Sequence, residues 1–310
     1  MNGSNPASES HPIIEWHPIR QLLGYPGHEF TLIVLHQPIQ DPCLFQDLWS
    51  IAKTKIAADG GANQIHDVAK RLSSKTKDGN ELFKDLDLII GDLDSLAAET
   101  RAYFAPRTRV VLEADQFSTD FDKAVRRARR EAPGRDLVCL GGLGGRVDQG
   151  LAQLHGLYRA QRSPAYADGR VYLVSGSSLS FVLKGGGGGG IQHRIRVRES
   201  PPPPPPGMVE EGEGEGGGEG GGEGGVVGLR TFARLSADPF AKHAGILPVG
   251  APAVITLKGF EWDVDDWPTS FGTQVSTSNH VLPESEVVEV RADQDVLFTI
   301  ALKQADRSGV

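Results

Sequence analysis

Between residues 29 and 183 the chain repeats one unit, a short apolar run followed by a longer stretch of helical composition, and this rhythm constrains the fold more than any other feature. The runs at 31–35, 56–58, 88–90, 110–112, 137–140 and 171–174 read as strands, and the stretches 44–53, 62–73, 96–104, 119–131 and 147–162 as helices. A strand that is apolar throughout must be covered on both faces, and helices alternating with strands supply that cover. The expectation is an α/β domain over 29–184 with a mostly parallel, doubly wound sheet. The helix at 119–131 has the best-marked start. Ser118 or Thr119 is placed to cap it, Asp120 and Asp122 fall in its first turn, and Arg126, Arg127, Arg129 and Arg130 lie toward its end, matching the helix dipole.

After Val226 the texture becomes β-rich, with runs at 231–235, 253–257, 286–290 and 296–300 separated by Pro, Gly, Asn and Asp. Residues 193–197 alternate in the same way, so an antiparallel β-sandwich domain is expected over 191–310. The glycines at 185–190, the prolines Pro201–Pro206 and the Glu/Gly tract at 210–225 offer almost no apolar surface to offset the entropy of ordering. Most of this reads as a disordered insertion, at 199–228, that interrupts the β domain. Residues 1–28 read as a loosely ordered leader. Pro201–Pro206 is expected to be a solvated spacer, although a short polyproline rod also suits an SH3- or WW-type partner.

A chain of 310 residues suits two domains. Its formal charge is −8, of which −4 lies in 185–225, where three arginines meet seven glutamates. A mildly acidic remainder argues against a general nucleic-acid binder. Cys43 and Cys139 stand far apart, outside any metal-ligand spacing, which fits a reduced compartment. The first twenty residues hold no apolar core of a secretory signal, and no run approaches the roughly 18 apolar residues of a spanning helix. A cytoplasmic protein with no membrane partner is expected.

Four turns at strand ends carry polar groups suited to chemistry. In Gly91-Asp92-Leu93-Asp94-Ser95 two carboxylates follow a buried strand, where open α/β sheets bind ligands. They are either a capped turn with solvated acids or hard ligands for Mg²⁺, which usually arrives with a phosphate. Asp115 or Asp120, after the next strand, would complete a cage of three acids. Asp59-Gly60-Gly61-Ala62-Asn63 opens a helix, and its glycines allow backbone N–H groups to approach a phosphate, though an ordinary strand-to-helix turn looks the same. Gly141-Gly142-Leu143-Gly144-Gly145-Arg146-Val147-Asp148-Gln149 matches neither a Walker A loop nor GxGxxG. Arg146 offers a fork for phosphate oxygens, or else pairs with Asp148. No nucleophilic triad is present, and His36, His66 and His155 read as scattered surface or structural residues. In the β region, Trp262 reads as core and 276–279 as a turn, or the two together as a stacking plate with hydrogen-bond donors for a flat heteroaromatic cation.

Taken in order, the Asp59 to Asn63, Gly91 to Ser95, Asp115 to Lys123 and Gly144 to Gln149 motifs, with Gly259-Phe260-Glu261-Trp262 and Ser276-Thr277-Ser278-Asn279, resemble eukaryotic thiamine pyrophosphokinase of the fungal type. The likeness runs from about Thr31 to Leu302, apart from the insertion. It implies transfer of a diphosphate from ATP to the hydroxyethyl group of thiamine, giving thiamine diphosphate and AMP. It also implies Mg²⁺ and a homodimer with each thiamine site at the subunit interface. Carried over by position, Asp92, Asp94 and Asp120 would hold Mg²⁺, and these acids with Arg146 and Asp148 would form the catalytic set. Asp59, Gly60, Gly61, Asn63, Gly144, Gly145 and Arg146 would contact the nucleotide. Gln116, Trp262, Ser276, Thr277, Ser278 and Asn279 would contact thiamine. One departure is Phe117, which stands where the family often has an acid. The rival readings are a Mg²⁺-dependent phosphohydrolase and a non-catalytic vitamin-binding scaffold.

Overall fold

The structure, a computed structural model, describes residues 12–73, 82–199 and 238–303. It opens with β1 (Ile13–Trp16) and α1 (Pro18–Leu23). Then come β2 (Phe30–Val34), α2 (Pro42–Ile51), β3 (Thr54–Ala58), α3 (Gly61–Ser73), β4 (Leu88–Gly91), α4 (Ala98–Phe104), β5 (Arg109–Leu112), α5 (Asp120–Glu131), β6 (Asp136–Leu140), α6 (Val147–Ala160) and β7 (Val171–Val174). The remainder is β8 (Ser178–Leu183), β9 (Ile191–Arg196), β10 (Phe240–Leu247), β11 (Ala253–Lys258), β12 (Val264–Thr269), β13 (Ser276–His280), β14 (Val287–Ala292) and β15 (Val296–Leu302).

Six strands run parallel in the order β7-β6-β2-β3-β4-β5. Every residue of β2, β4 and β7 is buried, as strands apolar throughout require. Successive residues of β2 serve opposite faces: Leu32 and Val34 join a core with Phe45, Leu48, Ile65 and Val68 of α2 and α3, whereas Ile33 packs with Phe121, Val125 and Leu157 of α5 and α6. A capping box starts α5: Asp122 N–H donates to Thr119 Oγ1 at 3.2 Å while Asp122 Oδ2 accepts from Thr119 N–H at 3.4 Å.

The chain is thus a mixed α/β sheet domain followed by a β-rich part, and the join is continuous. Antiparallel β8 extends the parallel sheet from β7, and β15, β10 and β13 follow it, so one sheet of ten strands runs through both parts. A second sheet, β1-β9-β14-β11-β12, packs against its antiparallel end, with Ile195, Leu257 and Val288 in one core with Phe181 and Phe298. The pairing of β8 with β15 means that no division at 184 separates two sheets.

Two readings of the sequence are corrected. The leader expected to be loosely ordered contains β1, parallel to β9, and α1. Trp16 is wholly buried, stacked at 4.4 Å on Phe181 and edge-on to Tyr166, and its Nε1 donates to His193 Nδ1 at 3.0 Å. The apolar spacing Ile13, Ile14, Trp16, Ile19, Leu22 was the signal, obscured by the prolines around it. The glycines 185–190 form a tight link from β8 to β9, where a Cβ on Gly185 would stand 2.3 Å from the Gln294 backbone. Residues 200–228 of the expected insertion, Pro201–Pro206 and the strand expected at 231–235 lie outside the described residues.

Candidate active site

From β2 the chain winds out through β3 and β4 to β5, then returns through α5 to β6 on the other side of β2. The winding direction reverses at β2 and β6, and a crevice opens beyond the carboxyl ends of strands at such a point. The cavity there holds about 580 Å³. His36 and Gln37 leave β2 into it, Asp94 and Ser95 come from the loop after β4, and Thr119 and Asp120 from the start of α5. Arg146, Gln149 and Gln153 close the far wall.

Three carboxylates meet beside this cavity. Asp59, Asp92 and Asp120 each offer an oxygen within 4.8 Å of the others. This cluster takes Asp59 in place of the expected Asp94. Leu93 adopts a left-handed φ of +63°, and beyond that turn Asp94 is exposed at the rim, accepting from Ser95 Oγ at 3.0 Å. Asp59 itself sits at φ +42° and is 2% exposed. Non-glycine residues in this region are uncommon and concentrate at functional sites. Gly91 is required by crowding, since a Cβ there would lie 2.6 Å from Asp59 Cβ and 3.0 Å from Asp120 Oδ1.

Burial, then the charge of Asp120, holds the Asp59 carboxyl above its ordinary value. Burial likewise raises Asp120, against the opposing pull of Lys123. For Asp92, burial is outweighed by the Asp94 N–H and by Lys123, and its carboxyl is held low. Lys123 is 1% exposed and donates to Asp120 Oδ1 at 3.1 Å and Asp92 Oδ2 at 3.5 Å. Burial would lower its ammonium, but these two carboxylates raise it. Asp59 Oδ2 accepts from Ser95 N–H at 3.2 Å, whereas its Oδ1 is buried without a hydrogen-bond partner among the described residues. A buried carboxylate oxygen without a donor is costly. Clustered hard oxygens with one such orphan fit a small divalent cation such as Mg²⁺.

The glycine-rich turn leads into α6, whose N-cap Arg146 supplies no side-chain cap and whose first turn lines the crevice through Arg146 and Gln149. Gly145 has φ +66° and allows the turn. Arg146 Nε donates to Asp148 Oδ1 at 3.0 Å, and both side chains are largely exposed. This hydrogen-bonded pair raises the guanidinium and lowers the carboxyl. The Asp59-Gly60-Gly61 turn owes its glycines to packing, and no open phosphate cradle is seen: a Cβ on Gly60 would meet the His36 ring at 2.4 Å, and one on Gly61 the Val34 carbonyl at 2.2 Å. Asn63 spends its amide on the loop after β4, donating to Ser95 O at 2.7 Å and accepting from Ala97 N–H at 3.1 Å.

Ser276 to Asn279 fall on strand β13, where a turn was one expectation, and Trp262 is 54% exposed, where core was the other. Thr277 and Ser278 are exposed, as is Gln116 in the loop before α5. Asn279 is buried and binds the Trp262 backbone, donating to its carbonyl at 2.9 Å and accepting from its N–H at 3.2 Å. It fixes the Trp262 loop. β13 stands six strands from β2, up to about 29 Å at roughly 4.8 Å per strand. The Trp262 and Ser276 to Asn279 group is therefore set six strands away from β2 within one chain, whereas Gln116 lies on the carboxylate side, four residues before Asp120. Lys123, His36 and Gln37 had no assigned role in the sequence. The available signals were the Asp120–Lys123 spacing of one helical turn and two polar residues directly after an apolar strand.

Fold and site together define an α/β protein with a cluster of three carboxylates beside a polar crevice at the switch point of its sheet. Residues 45–167 match the family "Thiamin pyrophosphokinase, catalytic domain" and residues 233–297 "Thiamin pyrophosphokinase, vitamin B1 binding domain". The chain is 30% identical over 290 residues to thiamine pyrophosphokinase 3 of Oryza sativa subsp. japonica, covering 89% of this chain and 88% of that one. It is 29% identical over 293 residues to thiamine pyrophosphokinase 1 of Arabidopsis thaliana, covering 91% and 90%. The solved thiamin pyrophosphokinase of Candida albicans shares the fold at a TM-score of 0.67 and 18% identity, covering 96% of this chain and 95% of that one. The yeast enzyme does so at 0.66 and 20%, covering 94% and 91%. The chain belongs to the thiamine pyrophosphokinase family.

Proposed function

We propose that the protein transfers the terminal diphosphate of ATP to the hydroxyethyl group of thiamine, releasing AMP. The observation that carries this reading is the Asp59, Asp92, Asp120 cluster with buried Lys123 at the switch-point crevice, in a chain of this family. The thiamine oxygen forms a bond to the β-phosphorus, the bond from that phosphorus to the α–β bridging oxygen breaks, and the hydroxyl proton leaves. Such transfers rest on positioning and charge neutralisation. Mg²⁺ held by Asp59, Asp92 and Asp120 would neutralise phosphate charge. Arg146 across the crevice would orient the chain of phosphates, and Asp94 at the rim would reach it only through a cation. The hydroxyl proton passes to an aspartate, Asp120 or Asp148, the first engaged by Lys123 and the cation and the second weakened as an acceptor by Arg146.

The β-rich part, with exposed Trp262 beside His280 and the Ser276 to Ser278 edge, suits thiamine, and exposed Gln116, on the carboxylate side before α5, would join it from across a subunit interface. Because β13 and the Trp262 loop bound to it lie six strands from β2 in their own chain, the reading requires a homodimer in which one subunit offers the ring site and its partner the metal site. The division of labour is then the parallel part of the structure for phosphate chemistry and the β-rich part for the vitamin. No helix among the described residues is long and apolar enough to cross a membrane, and Cys43 and Cys139 form no disulfide there; a cytoplasmic location is part of this reading.

Asp92→Ala should abolish thiamine-dependent AMP formation with an unchanged circular dichroism spectrum. Co-expressed with Trp262→Ala, it should regain activity, because one of the two mixed sites is then intact. Phosphate release from ATP without thiamine would instead identify a hydrolase.

A further inference from the structure

His36 and Gln37 leave the central strand at the place where the direction of winding reverses, between the carboxylate side of the crevice and the glycine-rich turn. Both side chains line the cavity, and neither makes a hydrogen bond among the described residues. Their positions are prepared by glycines from two other strand ends. The His36 ring lies over Gly60, where a Cβ would stand 2.4 Å from its Nδ1. Gln37 lies against Gly141 and Gly145, where a Cβ would stand 3.2 Å from its Cβ and 3.1 Å from its Oε1 respectively. Three glycines thus make room for two polar side chains whose donors are unused. Polar groups held this way beside a cavity are available to a ligand.

What would meet them follows from their neighbours. A polyanion anchored at Asp59, Asp92 and Asp120 through a cation and reaching Arg146 must pass over the end of β2, because β2 lies between β3 and β6. We infer that His36 and Gln37 donate hydrogen bonds to the polyphosphate oxygens of the nucleotide and so form a phosphate subsite midway between the metal site and the glycine-rich turn. This rests on the nucleotide reading above and adds two contacts to it. The ligand recognised is the phosphate chain, with the base held elsewhere.

The test is direct binding to the full-length protein in Mg²⁺ buffer without thiamine, by calorimetry, with inorganic tripolyphosphate and with ATP as probes. Each hydrogen bond to a charged oxygen is worth about tenfold in affinity. His36→Ala and Gln37→Ala should each weaken tripolyphosphate by about tenfold and ATP by the same factor. His36→Phe preserves a ring over Gly60 but has no donor, and should bind as weakly as the alanine variant. His36→Asn, which keeps a donor, should recover most of the affinity. Unchanged tripolyphosphate binding in the alanine variants, or wild-type binding by His36→Phe, would overturn the inference. Since thiamine is absent, a protein that binds both probes but makes no AMP would remove the proposed activity and leave this subsite standing.

Discussion

Lys123 is the residue whose removal tests the electrostatic account most severely. Its ammonium, 1% exposed, lies 3.1 Å from Asp120 and 3.5 Å from Asp92, and the orphaned oxygen of Asp59 belongs to the same cluster. At an effective dielectric near 20, one contact of this length is worth about 5 kcal/mol before desolvation. Desolvating the ammonium takes back much of it, and Asp120 and Asp92, at 34% and 25% side-chain exposure, are partly screened by water. A net loss of about 2–3 kcal/mol is therefore expected for Lys123→Met, which keeps the stem and deletes the charge. Urea denaturation of wild type and variant, with and without millimolar Mg²⁺, measures it. Mg²⁺ should stabilise the variant more than the wild type, because a cation in the cluster replaces the missing charge.

The sign of the pH effect follows from the shifts. Asp59 and Asp120 are raised in the fold above their ordinary 3.8, so their contribution worsens as pH rises through that window and improves on acidification. The deficit of Lys123→Met should therefore narrow below the raised values. A variant as stable as wild type, or one that responds no more strongly to Mg²⁺, would refute the reasoning.

Gly91→Ala should fold but lose Mg²⁺-dependent stabilisation, because its Cβ pushes into Asp59 and Asp120; equal Mg²⁺ shifts in the two melting curves would count against the cluster geometry. Burial holds His193 down to about 4, from 6.5 when unfolded, while it accepts from Trp16 and its other nitrogen meets the Lys184 carbonyl. The unfolded chain takes up that proton first as pH falls, so roughly 3 kcal/mol of stability should disappear between pH 6.5 and 4, and much less of it in His193→Gln.

Much of the fold was legible because its signal is local. Strands buried on both faces, such as β2 and β4, are apolar at nearly every position, and the helices between them carry caps and charges at their ends, as α5 does with Thr119 and Asp122. Of the strands that went unread, β8 and β10 are bound to β15, far along the chain, whereas β12 is a polar edge strand paired only with its neighbour β11. For β13, Ser276 to His280, polarity even suggested a turn, since an edge strand buries little.

The sequence by itself determined that acids stand at the ends of apolar strands, and that they would gather on one edge of a parallel sheet. Which acids meet was decided by tertiary structure: the left-handed turn at Leu93 sends Asp94 to the rim, and the crowding over Gly91 brings in Asp59. The same holds for Lys123, His36 and Gln37, whose roles depend on what three other strand ends place against them. It holds also for the separation of Trp262 from the carboxylates, which is a matter of strand order. Spacing along the chain fixes only what lies within a turn or a pleat, whereas a site is made where strands far apart in sequence end side by side.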